Sequence, residues 1–163
     1  MNNAEFITRQ LRHDEPKTGY GALSDFFAKG HFTDDELVDA AKHFSDSVAG
    51  KRRNEFPPRD LKTFVPNTLW CTILRRLDEI DYARNPRRAE TVIELIGRLI
   101  EDRGKCVLSH VYPVHKRIAE GGLTPSVRKR LSMQISTLLD LNEKQKAVSP
   151  SARSALLALR KHI

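Results

Sequence analysis

One helix-opening pattern occurs three times in the second half of the chain, and it constrains the fold more than any other feature. Pro86, Pro125 and Pro150 each follow a residue type that favours the N-cap (Asn, Thr or Ser), and proline itself favours the first helical position. Behind each proline, apolar residues recur at i, i+3, i+4 and i+7, with charged residues on the other faces. Helices with one apolar face bury it against one another, so the pattern predicts packed amphipathic helices.

The spacing of these openings favours a particular kind of helical fold. Pro86 and Pro125 lie 39 residues apart with one helix pair between them, which resembles the two-helix unit of HEAT-type repeats. No alternation of apolar and polar residues is long enough for a sheet. We therefore predict an all-α fold of about seven to eight helices. The helices form either stacked antiparallel pairs in a HEAT-like repeat or an irregular helical bundle.

Eight helices are expected along the chain, joined by short connections. Their predicted ranges are 3–12, 22–29, 33–50, 67–82, 85–103, 106–120, 124–146 and 151–162, with a short additional helix at 59–64. The stretch His13–Gly21 is predicted to be a polar loop and Lys51–Glu55 a basic connector. Pro113 is expected to kink or break the helix in which it lies. Gly104 is expected to end the helix before it in the left-handed conformation.

Length and composition suit one globular domain covering residues 1–163. Apolar residues make up 39% and charged residues 30% of the chain, which is unlike a disordered protein. The sequence lacks both a bilayer-spanning apolar run and a secretory signal, so no membrane association and a cytoplasmic or nuclear location are the default expectations. Cys71 and Cys106 are then expected to be reduced core residues rather than a disulfide.

Charge is distributed unevenly along the chain. Residues 1–50 hold 5 Lys/Arg and 9 Asp/Glu, a net charge of −4, whereas residues 51–163 hold 23 and 12, a net charge of +11. A basic region of this kind favours an acidic partner, most commonly nucleic acid. The alternative is a solvated helical surface that is rich in arginine. Composition alone leaves both interpretations open.

The basic residues near the helix ends are the candidate nucleic-acid-binding residues. If successive helices stack, these residues would form a basic ridge whose phosphate contacts give salt-dependent binding. Cations near helix C-termini also stabilise the helix dipole without any ligand, which is the competing interpretation. The candidates are Arg75, Arg76, Arg84, Arg87, Arg88, Lys116, Arg117, Arg128, Lys129 and Arg130.

The sequence gives no positive indication of catalysis. Cys106 and His110 have the i, i+4 spacing of one helix face, but a dyad needs a third group to orient the imidazole, so a buried thiol and a partly exposed histidine are expected instead. His110 and His115 fall on different faces, and no zinc, nucleotide-binding or nucleophile-elbow motif occurs. The acidic run beginning at Thr33 is a helix capping box rather than a metal site. We therefore predict no enzyme activity, no catalytic residue, no metal site and no cofactor.

Two segments resemble a known family. LIGRLIEDRG at 95–104 is similar to the helix end x-L-C-x-L-L-x-x-x-G of MIF4G-type domains, the middle domain of the eukaryotic translation initiation scaffold and its relatives. TPSVRKRLSMQISTLLDL at 124–141 resembles the late helix of that family, which carries S-x-R-I-R-F-M-L-x-x-(I/V/L)-x-D-L-R. The matching positions are Arg130, Leu131, Ile135, Leu138, Leu139, Asp140 and Leu141.

The resemblance covers about residues 90–142 and departs from the family pattern at two arginines. Ser132 replaces the second arginine of the R-I-R element, Asn142 replaces the closing arginine, and no tryptophan follows. The resemblance implies a HEAT-type scaffold that binds protein partners, often a DEAD-box RNA helicase or another RNA-processing factor, and sometimes RNA. We therefore expect a non-enzymatic adaptor in a translation or mRNA-processing assembly, with direct nucleic-acid binding through residues 51–163 as the alternative.

Overall fold

The described part of the chain is helical throughout, which confirms the predicted all-α class. The computed structural model describes residues 1–48, 64–103, 105–121 and 123–163, and the side chains of residues 64–66 are left aside. Within these ranges there are eight helices of at least nine residues and one of four. They are α1 Asn3–Leu11, α2 Pro16–Lys29, α3 Asp34–Val48, α4 Phe64–Leu77, α5 Pro86–Asp102, α6 Lys105–Leu108, α7 Tyr112–Glu120, α8 Pro125–Gln145 and α9 Pro150–His162.

Two compact units make up the chain, Met1–Arg76 (unit 1) and Leu77–Ile163 (unit 2). The single domain expected from the sequence stays a prediction. The predicted basic connector Lys51–Glu55 lies outside the described residues, as do Gly104 and all of the predicted 59–64 helix except Phe64.

Unit 1 is built around aromatic side chains. Helix α1 packs against both α2 and α3. The ring of Phe44 lies 6.1 Å from that of Phe27 and 5.0 Å from that of Trp70, measured between centroids. Trp70 is only 2% exposed, so the core role predicted for it is confirmed. Aromatic burial supplies much apolar area per residue, which suits a core made of few helices.

The predicted loop His13–Gly21 is wrong from Pro16 onward, where α2 already begins. Pro16 occupies the first turn of this helix, a position that does not require a backbone N–H. Gly19 is buried, and a Cβ at this position would collide with the Gln10 carbonyl oxygen of α1. The glycine therefore allows two helices to approach closely and does not mark a turn.

In unit 2, the helices that open with Pro86 and Pro125 lie side by side. Helix α5 packs against α6 and α8, α8 packs against α9, and α7 packs against α9. Thus α5 and α8, which open with Pro86 and Pro125, are neighbours, and so are α7 and α9. These contacts make unit 2 a bundle of packed helices, and the HEAT-like pairing stays a prediction.

Side-chain capping explains where these helices begin. The side chains of Asn85, Thr124 and Ser149 accept backbone hydrogen bonds from Arg87, Val127 and Ala152 at 3.0, 3.2 and 3.2 Å. These bonds satisfy amides that have no partner within the helix, and they confirm the three predicted N-caps.

The predicted capping box is also confirmed. The Thr33 hydroxyl accepts from the Glu36 amide at 3.1 Å, and the Glu36 carboxylate accepts from the Thr33 amide at 3.3 Å.

Two predicted helices end differently from expectation. The helix predicted at 67–82 stops at Leu77, because Tyr82 folds back and its hydroxyl donates to the Leu77 carbonyl oxygen at 2.7 Å. The helix predicted at 106–120 is divided into α6 and α7, with Pro113 in the first turn of α7. Pro113 has no N–H for a helical hydrogen bond, so it breaks the helix and does not only kink it.

Both cysteines are free thiols, but they do not share a buried environment. Cys71 is half-buried, whereas Cys106 is exposed. The predicted core position of Cys106 is therefore wrong, because the neighbouring Val107 and Leu108 supply the buried face of the short α6.

Candidate functional site

The structure gives the two predicted cations of unit 1 different surroundings. Arg76 donates from Nη1 to the carbonyl oxygens of Phe27 and Ala28 at 2.9 and 3.2 Å, and from Nη2 to that of Gly30 at 3.1 Å. These carbonyls lie at or beside the C-terminus of α2, where a positive charge is favourable. Arg76 therefore has a structural role, whereas its neighbour Arg75 is exposed.

In unit 2, three of the predicted arginines make contacts in or with the segment that precedes α5. Arg88 Nη1 donates to the Asp81 carbonyl oxygen at 2.9 Å, and Arg117 Nε donates to that of Ile80 at 3.1 Å. Arg84 Nε lies 3.3 Å from Asp81 Oδ2. Two of these contacts give backbone carbonyls outside helices a charged donor, which is a sufficient structural reason for Arg88 and Arg117. Arg84 is exposed and makes only a surface ion pair with Asp81.

The remaining predicted cations lie on the surface of unit 2. Arg87 is exposed in the first turn of α5, as are Arg128 and Lys129 in the first turns of α8. Lys116 is exposed too and reaches Glu120 on the same helix at 4.0 Å. The structure thus separates cations held by internal acceptors from cations that face solvent, and the predicted ridge stays a prediction.

An open groove lies between α5 and α8 in unit 2. Its volume is about 380 Å³, and we call it the α5–α8 groove. Arg130, the last predicted cation, lies in it and pairs with Glu94 at 3.5 Å. Met133 is 62% exposed there, a high value for a large apolar side chain. The lining residues are Ile93, Glu94, Gly97, Ile100 and Glu101 of α5 and Arg130, Met133, Gln134 and Thr137 of α8.

A buried polar network lies beside this groove and joins three helices. His115 of α7 is fully buried, and its Nε2 lies 2.7 Å from Gln134 Oε1 of α8. Gln134 Nε2 in turn donates to the Ile93 carbonyl oxygen of α5 at 2.8 Å. With an amide oxygen as its partner, His115 Nε2 carries the hydrogen, and Nδ1 has no hydrogen-bond partner among the described residues.

Burial, and not the hydrogen bond, keeps the imidazole in its neutral form. Burial lowers the pKa of His115 to about 4, although the hydrogen bond with Gln134 opposes this shift. Sequence reasoning considered His115 only as a zinc ligand and missed this role. The available signal was its place between Val111 and Ile118, both buried, at i−4 and i+3 on the same helical face.

The two residue pairs that the sequence analysis weighed, Cys106 with His110 and His110 with His115, form no site within the described ranges. Cys106 and His110 are both exposed, and no hydrogen bond joins them in the part of the chain that the structure describes. Over the same residues, no group of three or more His, Cys, Asp or Glu side chains could hold a metal ion. None of the helices described above is both long and apolar enough to cross a membrane.

Comparison with known protein families, curated proteins and solved structures found no match to this chain.

Proposed function

We propose that this chain is a non-enzymatic helical adaptor that binds a protein partner in an RNA-related assembly, in translation or mRNA processing. The observation that carries the proposal is the α5–α8 groove, which is lined by the exposed side chain of Met133. Apolar surface that the fold leaves in a groove is typical of protein–protein contact.

The RNA-related setting of the proposal rests on the resemblance of residues 90–142 to MIF4G-type domains. That resemblance makes a DEAD-box RNA helicase or another RNA-processing factor the proposed partner, and a cytoplasmic or nuclear location goes with it. The contacts between helices opened by Pro86 and Pro125 support a scaffold of stacked helix pairs. A fold of this type presents helix faces and grooves as binding surfaces.

A capture experiment with the whole chain tests the adaptor proposal. The tagged protein is incubated with lysate, with and without ribonuclease, and the bound proteins are identified by mass spectrometry. An adaptor retains the same proteins in both samples, with a helicase or translation factor among them. If every bound protein disappears after ribonuclease treatment, RNA connects them and the adaptor proposal is wrong.

Direct nucleic-acid binding is the second candidate function, favoured by the adjacent exposed cations Arg128 and Lys129. Contacts to the phosphates of single-stranded RNA make the affinity fall with salt. The logarithm of the binding constant falls by about 0.7 per phosphate contact for each tenfold rise in salt concentration. The double variant Arg128→Glu/Lys129→Glu should then bind RNA more weakly and with a smaller slope. The matched control Arg160→Glu/Lys161→Glu changes the charge equally at exposed positions of α9. Equal affinity in the two variants would argue against this candidate.

A further inference from the structure

Gly97 lies in the interior of α5, where the fold gives no reason for a glycine. Among the described residues, a Cβ at this position would come within 4 Å of Gln134 Nε2 alone, at an ordinary contact distance of 3.5 Å. The helix itself would favour alanine, because glycine has more backbone freedom to lose on folding. Contacts within the described residues therefore do not require a glycine here.

An apolar strip runs beside Gly97 along the groove. Ile100 is half-buried and lies one turn further along α5, and Met133 of α8 lines the same groove with most of its side chain exposed. Methionine adapts its shape to a partner more readily than branched side chains do. A strip of this kind, lying between two helices, fits the apolar face of a third helix.

Charge in the groove has the opposite sign to that of the unit around it. Residues 77–163 hold 16 Lys/Arg and 10 Asp/Glu, a net charge of +6. The groove is lined instead by two carboxylates, Glu94 and Glu101, and by one cation, Arg130, which already pairs with Glu94. Glu101 is exposed and has no partner among the described residues. The groove therefore attracts a basic group and repels phosphate.

The groove also has a fixed hydrogen-bond donor. One hydrogen of the Gln134 amide nitrogen is donated to the Ile93 carbonyl oxygen, and His115 holds the amide oxygen. The second hydrogen on that nitrogen has no acceptor among the described residues. It lies beside the space that Gly97 leaves open. A donor held in place by two hydrogen bonds needs little further ordering when a ligand binds.

We infer that the α5–α8 groove binds one amphipathic α-helix of a partner protein. An aliphatic side chain of this helix lies over Gly97 between Ile100 and Met133, and a lysine or arginine faces Glu101. The inference rests on the proposed adaptor function and adds both the binding surface and the chemistry of the partner.

The two methionines of the chain, Met1 and Met133, allow a direct test. Protein labelled with ¹³C at the methionine methyl groups gives one signal from the groove and one from unit 1. The labelled chain is titrated with a synthetic helical peptide of Leu, Ala and Lys, and with the same peptide carrying Glu in place of Lys. We expect the lysine peptide to shift the Met133 signal and leave Met1 unchanged, and the glutamate peptide to bind at least roughly tenfold more weakly.

A matched pair of glycine variants separates binding from folding. Gly97→Ala should lower the affinity for the lysine peptide by roughly tenfold, because the added methyl group enters the space that the partner side chain needs. Gly21→Ala, in α2 of unit 1 with nothing within 4 Å of the added Cβ, should leave the affinity unchanged. Both variants should have an equal or higher Tm than the wild type, so that weaker binding by Gly97→Ala cannot be attributed to misfolding.

Four results would contradict the inference. They are a Met133 signal that neither peptide shifts, that both peptides shift equally, that a uridine oligonucleotide shifts, or that protein concentration alone shifts. The last result would indicate a second copy of the chain as the occupant. If wild type and Gly97→Ala capture the same proteins after ribonuclease treatment, the groove is not the binding surface, but the adaptor proposal is still supported. If ribonuclease treatment abolishes all capture, the adaptor proposal itself is wrong.

Discussion

The two units fill their cores in different ways. Unit 1 depends on large aromatic rings, with Phe44 between Phe27 and Trp70, and Arg76 holds the end of α2. Unit 2 depends on aliphatic side chains from α5, α7, α8 and α9, with the imidazole of His115 fully buried among them. The comparison indicates that similar helical patterns can produce different sensitivities. Unit 1 should respond mainly to lost volume, and unit 2 should respond to protonation.

The largest expected effect is the loss of an aromatic ring from unit 1. Phe44→Ala should lower the free energy of unfolding by about 3–5 kcal/mol, because it removes buried area, leaves a cavity and deletes two ring contacts. Denaturant unfolding followed by the fluorescence of Trp70, the only tryptophan, measures this in unit 1 itself. Phe44→Leu keeps most of the volume and should cost clearly less. A loss below about 1 kcal/mol for the alanine variant would contradict an aromatic core.

Acid should destabilise unit 2 through His115. The pKa of this group is about 4 in the folded chain against an ordinary value of 6.5, so the unfolded chain binds the proton first as pH falls. The stability contribution is therefore complete above about pH 6.5 and is lost as pH falls toward 4. The difference of 2.5 pKa units corresponds to about 3 kcal/mol.

Unfolding measured between pH 7 and pH 4, in wild type and in variants, tests this assignment. His115→Gln keeps a hydrogen-bond donor without a titrating ring, so the loss of stability over this range should become smaller. His110→Ala, at an exposed histidine five residues earlier, should leave the pH dependence of the wild type in place. An equal pH dependence in wild type and His115→Gln would show that other groups cause the acid sensitivity.

The third prediction concerns the hydrogen bonds of Arg76 to the C-terminal end of α2 in unit 1. Arg76→Ala removes the donor of three hydrogen bonds to backbone carbonyls, and it should lower the free energy of unfolding by about 1.5–3 kcal/mol. The adjacent and exposed Arg75→Ala should change it by less than about 0.5 kcal/mol. Urea unfolding of both variants provides the comparison. Equal effects would indicate that charge, and not the hydrogen bonds, stabilises this region.

The parts of the fold that follow from local chemistry could be predicted from the sequence. The caps at Asn85, Thr124 and Ser149 depend on residues only two or three positions away, so the helix starts were predicted correctly. Trp70 was placed correctly in the core because its helix has a clear apolar face. The predicted disruption at Pro113 is confirmed, because proline has no N–H for a helical hydrogen bond and α7 begins there.

The features that sequence reasoning missed depend on contacts between distant residues. Gly19 indicated a loop, because the nearby Gln10 carbonyl that requires a glycine belongs to another helix. The helix after Asn67 was extended to Tyr82, because the hydroxyl that caps it at Leu77 is invisible in a periodic pattern. The α5–α8 groove could not be predicted because it exists only where two helices that are distant in sequence lie side by side. The ten predicted cations could not be divided by role, because the sequence does not show which backbone carbonyls each one reaches.

The smallest expected effect is that of Gly97→Ala in unit 2, for which a glycine of unit 1 gives the contrast. Gly97→Ala in unit 2 should raise the free energy of unfolding by roughly 0.5–1 kcal/mol, because alanine loses less backbone freedom and its Cβ meets Gln134 Nε2 at an ordinary contact distance of 3.5 Å. Gly19→Ala in unit 1 should lower it, because its Cβ collides with the Gln10 carbonyl of α1. Thermal unfolding of both variants measures the two signs. If Gly97→Ala also lowered stability, the glycine would serve the packing of α5 on α8, and the folded chain itself would account for it without any partner.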